Sequence, residues 1–298
     1  MQDFKYFKKI ISKNILFMMI LVLLLVGVSE RIVNLMVAND SYVLDRNKSI
    51  FRILREPENS VDIIVLGDSL GMTSISPMAW WGDYGMTGYV CGQTGQRMQE
   101  AFHMLQAAYE TQSPKLVILE TNMVFRCKNL SSEVKDCLGE IGYRYIPIFQ
   151  GHDIWKSMLS EKQYPAENYK GFAFRCETVP YEQGEYMQKN DQKEEISKIV
   201  SFYLEKIRKL CEKNGTKLLL VSTPSPINCN YARHNSIQAY AREKGLDFLD
   251  LNLKTEEIGI NWKTDSLDNG DHLNYSGADK VTRYLGNYLT QNYTFPDH

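Results

Sequence analysis

Three kinds of residue that can act as one chemical unit occur in this chain. A serine lies in Gly67-Asp68-Ser69-Leu70, a histidine lies in Asp271-His272-Leu273-Asn274, and two carboxylates, Asp268 and Asp271, lie close to that histidine. A serine hydroxyl is a weak nucleophile at neutral pH; it becomes effective when an imidazole takes its proton and a carboxylate fixes the imidazole's tautomer. The chemistry on offer is attack on an acyl carbon. Asp268 is four residues before His272 and reaches it if the chain through Asn269-Gly270 bulges by one residue, whereas Asp271 is adjacent and points the other way in an extended chain. Asp268 is the favoured orienting group.

Other chemistries lack their residues. Gly82, Gly85, Gly88, Gly92 and Gly95 do not make Gly-x-Gly-x-x-Gly, and no Gly-Lys-Ser/Thr follows, so a phosphate cradle is not expected. His103, His152, His234 and His298 show no metal-ligand spacing, and no metal or cofactor is expected. The six cysteines contain no Cys-x-x-Cys pair; Cys127 and Cys137 flank a polar loop and can bridge in an oxidising compartment, or remain thiols. Lys+Arg (34) and Asp+Glu (36) balance to a net charge of -2 without a long like-charge block, which argues against nucleic-acid binding through counterion release. Trp80 and Trp81 read as packing, and Pro224-Ser225-Pro226 as a rigid loop.

The elements that must position these residues follow from hydrophobic patterning. Residues Val61 to Leu66, Leu116 to Glu120, Leu218 to Ser222 and Leu246 to Leu251 read as buried strands. Helical stripes lie between them: Met98 to Tyr109, Ile196 to Cys211 with a stop at Asn214-Gly215, Ala232 to Lys244 with a stop at Gly245, and Ala278 to Leu289 after a Ser276 cap. Alternating strands and helices predict an α/β fold, a mostly parallel sheet covered on both faces. Such sheets place ligands at the carboxyl ends of their strands, so chemistry is expected just after Leu66, Glu120, Ser222 or Leu251. Residues 123–190 interrupt the alternation with many aromatics, either as an insertion with its own small core or as a substrate-facing lid.

At the N-terminus, Lys5, Lys8, Lys9 and Lys13 precede Ile15 to Val28, which carries no charge. Counting from Ile10 gives about 28 Å of helix, close to the roughly 30 Å hydrocarbon core. Gly27-Val28-Ser29-Glu30-Arg31 is a poor signal-peptidase site, so an uncleaved single-pass signal anchor is favoured over a cleaved signal peptide, with the lysines in the cytoplasm. The expected organisation is a cytoplasmic tip and transmembrane anchor over 1–37, a juxtamembrane linker over 38–60, and an extracytoplasmic domain over 61–298.

Val-Leu-Gly-Asp-Ser at the end of the first strand, with Asp-His before the last helix, resembles the SGNH or GDSL hydrolase superfamily of serine esterases, over residues 61–289. The resemblance implies a three-layer, flavodoxin-like α/β/α fold and assigns roles by block. Ser69 matches the nucleophile, whose own N–H serves the oxyanion. Gly95 is similar to the glycine whose backbone N–H helps bind the oxyanion. Asn122 resembles the asparagine of Gly-x-Asn, with Glu120 where the family has glycine, and His272 matches the histidine. The usual Asp-x-x-His is broken, because Asn269 occupies the third position before His272.

The whole layout resembles the bacterial branch that holds DltD and cell-surface polysaccharide O-acyltransferases. That implies transfer or hydrolysis of an acetyl or D-alanyl ester through acyl-Ser69, a cell-envelope glycopolymer or teichoic acid as substrate, and a membrane-bound O-acyltransferase as partner. A reading of another class is a non-catalytic envelope scaffold that keeps the fold and binds polymer through the aromatic insertion.

Overall fold

Apolar runs without polar alternation make stable strands only where both faces of the sheet are covered, and that is the arrangement found. The computed structural model describes residues 2–39, 48–126, 130–145 and 169–296. Strands β1 (Ile63–Gly67), β2 (Gly88–Gly92), β3 (Leu116–Glu120), β4 (Lys217–Ser222) and β5 (Asp247–Asp250) form one parallel sheet in the order β2-β1-β3-β4-β5. Successive side chains enter opposite cores. Ile64, Leu66, Val117, Leu119, Leu218 and Leu220 face one, and Ile63, Val65, Leu116, Ile118, Leu219 and Val221 face the other.

The helices are α1 (Gln2–Ala38), α2 (Lys48–Ile53), α3 (Ser69–Ser74), α4 (Pro77–Tyr84), α5 (Met98–Ala108), α6 (Leu130–Tyr145), α7 (Lys198–Lys213), α8 (Tyr231–Lys244), α9 (Thr255–Ile258) and α10 (Tyr275–Asn292). Helices α5, α7 and α8 cover the first core, while α4 and α10 cover the second. The three layers of the expected α/β fold are present. In α7, Val200, Tyr203, Leu204, Ile207 and Cys211 recur every three or four residues and are the buried ones, so one stripe both makes the helix and docks it.

Two local expectations are corrected. The sheet has a fifth strand, β2, whose Gly-Tyr-Val-Cys-Gly sequence is too short and too glycine-flanked to read as an apolar run. Its glycine end has a packing cause: a Cβ at Gly92 would lie 2.8 Å from the Gly67 carbonyl and 2.7 Å from Met72 Cγ. The N-cap of α10 is Asn274, which accepts from Gly277 N–H at 3.3 Å. Ser276 instead donates to Asp265 Oδ1 at 2.8 Å. An amide two residues earlier reaches the first turn, and the serine is drawn to the buried carboxylate.

In α1, Lys13–Ala38 is long and apolar enough to cross a membrane. Its apolar side chains from Ile15 to Val28 are exposed, whereas Met36 packs on Phe51 of α2. Residues 38–60, expected as a linker, include α2, whose Ile53 joins the first core and whose Ser49 hydroxyl donates to the Gly92 carbonyl. Within the 123–190 stretch, α6 is helical and residues 172–190 run without helix or strand. Tyr169, Phe172 and Phe174 make a chain of ring contacts that ends on Tyr275, and Tyr181 and Tyr186 pack edge-on against Trp262. These aromatics lie against the C-terminal part of the domain. Cys127, Phe149, His152, Trp155, Tyr164 and His298 lie outside the described residues, and with Cys127 the choice between a Cys127–Cys137 bridge and two thiols.

Candidate active site

The site is built where β1 gives way to α3. Asp68 has extended backbone and caps α3, its Oδ1 accepting from Leu70 N–H at 2.9 Å. Ser69 is therefore the first helical residue, and its N–H has no preceding turn to bond. Asp68 is fully buried, and its Oδ2 accepts from Asn122 Nδ2 at 2.8 Å and from Arg126 Nε. A carboxylate in that position needs such partners, since an unpaired buried charge costs several kcal/mol.

Ser69 Oγ lies 2.8 Å from His272 Nε2, across 203 residues of sequence. His272 Nδ1 lies 2.7 Å from Asp268 Oδ2, and His272 N–H donates to Asp268 Oδ1 at 2.7 Å. Asp271 Oδ2 is 3.7 Å from the same Nδ1, beyond hydrogen-bond length. The one-residue bulge that this requires is visible in the backbone: Asn269 has φ +60° and Gly270 φ +88°, the left-handed region. Leu267 N–H donates to the His272 carbonyl at 2.9 Å, closing the loop, and Gly270 N–H donates to Ser266 Oγ at 2.8 Å.

Gly95 occupies the turn after β2 with φ +67°, three residues beyond Gly92, the glycine that lies against the Gly67 carbonyl. Asn122 sits in a 3₁₀ turn after β3, 5% exposed; one hydrogen of its amide is committed to Asp68. Asp268, Asp271 and His272 also bring three potential metal-ligating atoms within 4.8 Å of one another, but the His272 nitrogen among them is already hydrogen-bonded to Asp268.

Glu120, which stands where the resembled family has glycine, is fully buried at the end of the central strand. Its Oε2 accepts from Asn122 N–H at 3.1 Å and its Oε1 accepts from Thr223 Oγ1 at 3.3 Å. Burial, and secondarily the nearby Asp68 charge, push its carboxyl well above the usual carboxylate range. Close by, burial raises the Cys229 thiol well above its ordinary range, so Cys229 is held as a thiol and not as a competing nucleophile.

Several contacts around the site carried no sequence signal. Arg126 and Asn122 are one helical turn apart, so both reach Asp68. The Ser225 hydroxyl donates to the Asp271 carbonyl at 2.7 Å, and Asn228 Nδ2 donates to Asp271 Oδ1. Val179, in the aromatic stretch, accepts from Asn269 N–H at 2.9 Å and from Ser266 Oγ at 2.7 Å. Pro224-Ser225-Pro226 is thus a loop that grips the histidine loop. Of the other histidines, His103 is buried beside Gln106 and His234 is paired with Asp250 at 2.7 Å.

No protein-family model and no curated protein matches the chain. Solved structures similar to it include a GDSL-like lipase from Bacteroides thetaiotaomicron, at 11% identity and TM-score 0.42 over 83% of this chain and 98% of that one. A lipase/acylhydrolase from Enterococcus faecalis is similar at 11% identity and TM-score 0.42, over 80% of this chain and all of the other (100%). TesA is similar at 13% identity and TM-score 0.39, covering 77% and 98%.

Proposed function

We propose that this chain is a serine esterase or O-acyltransferase that works through an acyl-Ser69 intermediate. The observation that carries the reading is the unbroken series Ser69 Oγ, His272 Nε2, His272 Nδ1, Asp268 Oδ2, with hydrogen-bond distances of 2.8 and 2.7 Å. Asp268 fixes the tautomer with hydrogen on Nδ1, leaving Nε2 to take the Ser69 proton as Oγ bonds to the acyl carbon. The ester's leaving alcohol then receives that proton from Nε2 as its bond to carbon breaks. In the second half, a hydroxyl or water gives its proton to Nε2, bonds to the acyl carbon, and the proton returns to Ser69.

Charge develops on the acyl oxygen in both steps. The N–H groups of Ser69 and Gly95 and the second hydrogen of the Asn122 amide are its proposed donors, each of which is worth on the order of a hundredfold in rate. Transfer differs from hydrolysis only in which acceptor reaches the ester. The apolar exposed stretch of α1 from Ile15 to Val28 supports membrane anchoring, and the lysines that precede this stretch support a cytoplasmic N-terminus with the domain outside. An anchored enzyme acts on surface-bound material at high effective concentration, which favours an acetyl or D-alanyl ester of a cell-envelope glycopolymer, with a membrane-bound O-acyltransferase as donor partner.

The test is to incubate the detergent-solubilised full chain with a chromogenic acetyl ester, with and without a serine-reactive phosphonate. The expected result is turnover, its loss on phosphonylation, and added mass on Ser69. Turnover and cellular phenotype both unchanged in Ser69→Ala would replace this reading with a non-catalytic scaffold.

A further inference from the structure

Two carboxylates face one imidazole nitrogen, Asp268 Oδ2 at 2.7 Å and Asp271 Oδ2 at 3.7 Å from His272 Nδ1. Their side chains are equally exposed, at 43% and 42%, so burial does not choose between them. Asp271 is also the nearer in sequence, and its Oδ2 stands only about an ångström farther from the nitrogen. What separates the two is the other oxygen. Asp268 Oδ1 accepts from His272's own N–H, whereas Asp271 Oδ1 accepts from Asn228 Nδ2 at 2.5 Å.

Asn228 is tied to the sheet's frame and not to the histidine loop alone. Its N–H and its Nδ2 both reach Ser225 Oγ, at 3.3 and 2.9 Å, and its carbonyl accepts from Arg233 Nη1. Arg233 is clamped by Glu194 at 2.9 and 3.1 Å, and Ser225 N–H is bonded to Asn252 Oδ1 at 3.0 Å. Ser225 lies in the segment that follows β4 and Asn252 in the one that follows β5, while Arg233 belongs to α8.

We propose that Asn228 is a positioning residue that withholds Asp271 from the Nδ1–H of His272 and so makes Asp268 the single orienting carboxylate. The inference rests on the acyl-Ser69 reading for its catalytic consequence, not for its geometry. Without the Asn228 amide, Asp271 loses its competing donor and turns toward Nδ1–H, the strongest donor within reach.

The test compares wild type, Asn228→Ala, Asp268→Asn and the double variant, as the solubilised full chain, by ester turnover and by ¹⁵N-histidine NMR of the hydrogen-bonded Nδ1–H, assigned with His272→Gln. Asp268→Asn is expected to cost on the order of ten-thousandfold in the native background, the size seen when a triad aspartate is neutralised. In the Asn228→Ala background the same substitution is expected to cost only about a hundredfold, because Asp271 substitutes. The charge-assisted Nδ1–H signature, lost in Asp268→Asn, should return in the double variant. Asn228→Asp, which repels Asp271 and keeps the volume, should rescue likewise and covers the case in which Asn228→Ala misfolds. A cost of Asp268→Asn that is equal in both backgrounds, with no returning NMR signal, overturns the proposal, since a purely structural Asn228 lowers both backgrounds alike. If no protein turns over ester, the function reading fails while the NMR comparison still decides Asn228's role.

Discussion

The nucleophile corner and the histidine loop meet in one hydrogen bond but are built in opposite ways. Gly67-Asp68-Ser69 joins a fully buried strand to a helix, and its backbone is set by elements next to it in sequence: β1 before, α3 after, with Asp68 as cap. The loop 267–272 has no helix or strand of its own. It is half exposed, passes through two left-handed residues, and is held by Ser266 just before it, by Val179 on one side and by Ser225 and Asn228 on the other. Regular secondary structure positions the attacking atom, and scattered tertiary hydrogen bonds position the group that activates it. The first therefore fails with the fold, whereas the second is adjustable without unfolding.

The largest effect that would break this contrast is kinetic. His272→Gln and Asp268→Asn are expected to lower ester turnover by about ten-thousandfold with the melting temperature little changed, while Asp271→Asn stays within about tenfold; steady-state rates beside thermal melts check this. Equal losses for Asp268 and Asp271 would mean that the loop does not discriminate as its geometry indicates.

On the nucleophile side, the expected effects are on stability. Arg126→Met strands the buried Asp68 carboxylate with only neutral donors and is expected to cost about 3 kcal/mol in denaturant melts. Gly92→Ala drives a methyl into the Gly67 carbonyl and Met72, and is expected to cost about 1–3 kcal/mol, as overpacking does. Either variant at wild-type stability would show that the corner is less tightly determined than its burial implies.

The smallest effect sharpens the comparison at the centre of the sheet. Glu120 has a folded-state pKa raised above its unfolded value, so the fold favours the protonated form. It carries no penalty below the unfolded carboxyl range, and the penalty grows as pH rises above that range. Glu120→Gln should therefore raise Tm by an amount that is negligible near pH 4 and increases toward pH 8, with the Thr223 hydroxyl turning to accept from the new amide. A Tm gain that shrinks as pH rises would reverse the assignment.

Legibility in the sequence follows the same division. The strand Leu116–Glu120 is readable as a short unbroken apolar run, the helices around Met98 and Val200 by their period, and the helix around Ile237 by its stop at Gly245. Strand β2 was not, because two glycines needed for close approach remove the apolar signal from a five-residue element. Ser69 and His272 were legible from their types and their places at element ends. The bulge stands in the sequence only as a condition on Asp268; Asn269-Gly270, a pair that tolerates positive φ, is the segment that forms it.

What the sequence by itself determined is the local part: an apolar helix at the N-terminus, alternating strands and helices with two faces to cover, and a serine set on a strand-to-helix turn. Only the tertiary structure decided which carboxylate meets His272, that Arg126 and Asn122 converge on Asp68, and that Ser225, Asn228 and Val179 hold the histidine loop. The reason is physical. Periodicity and capping act over three or four residues and leave a pattern in the chain, whereas a hydrogen bond between residues 43 to 203 apart leaves none, because any polar side chain at either end would look the same until the sheet brings the two together.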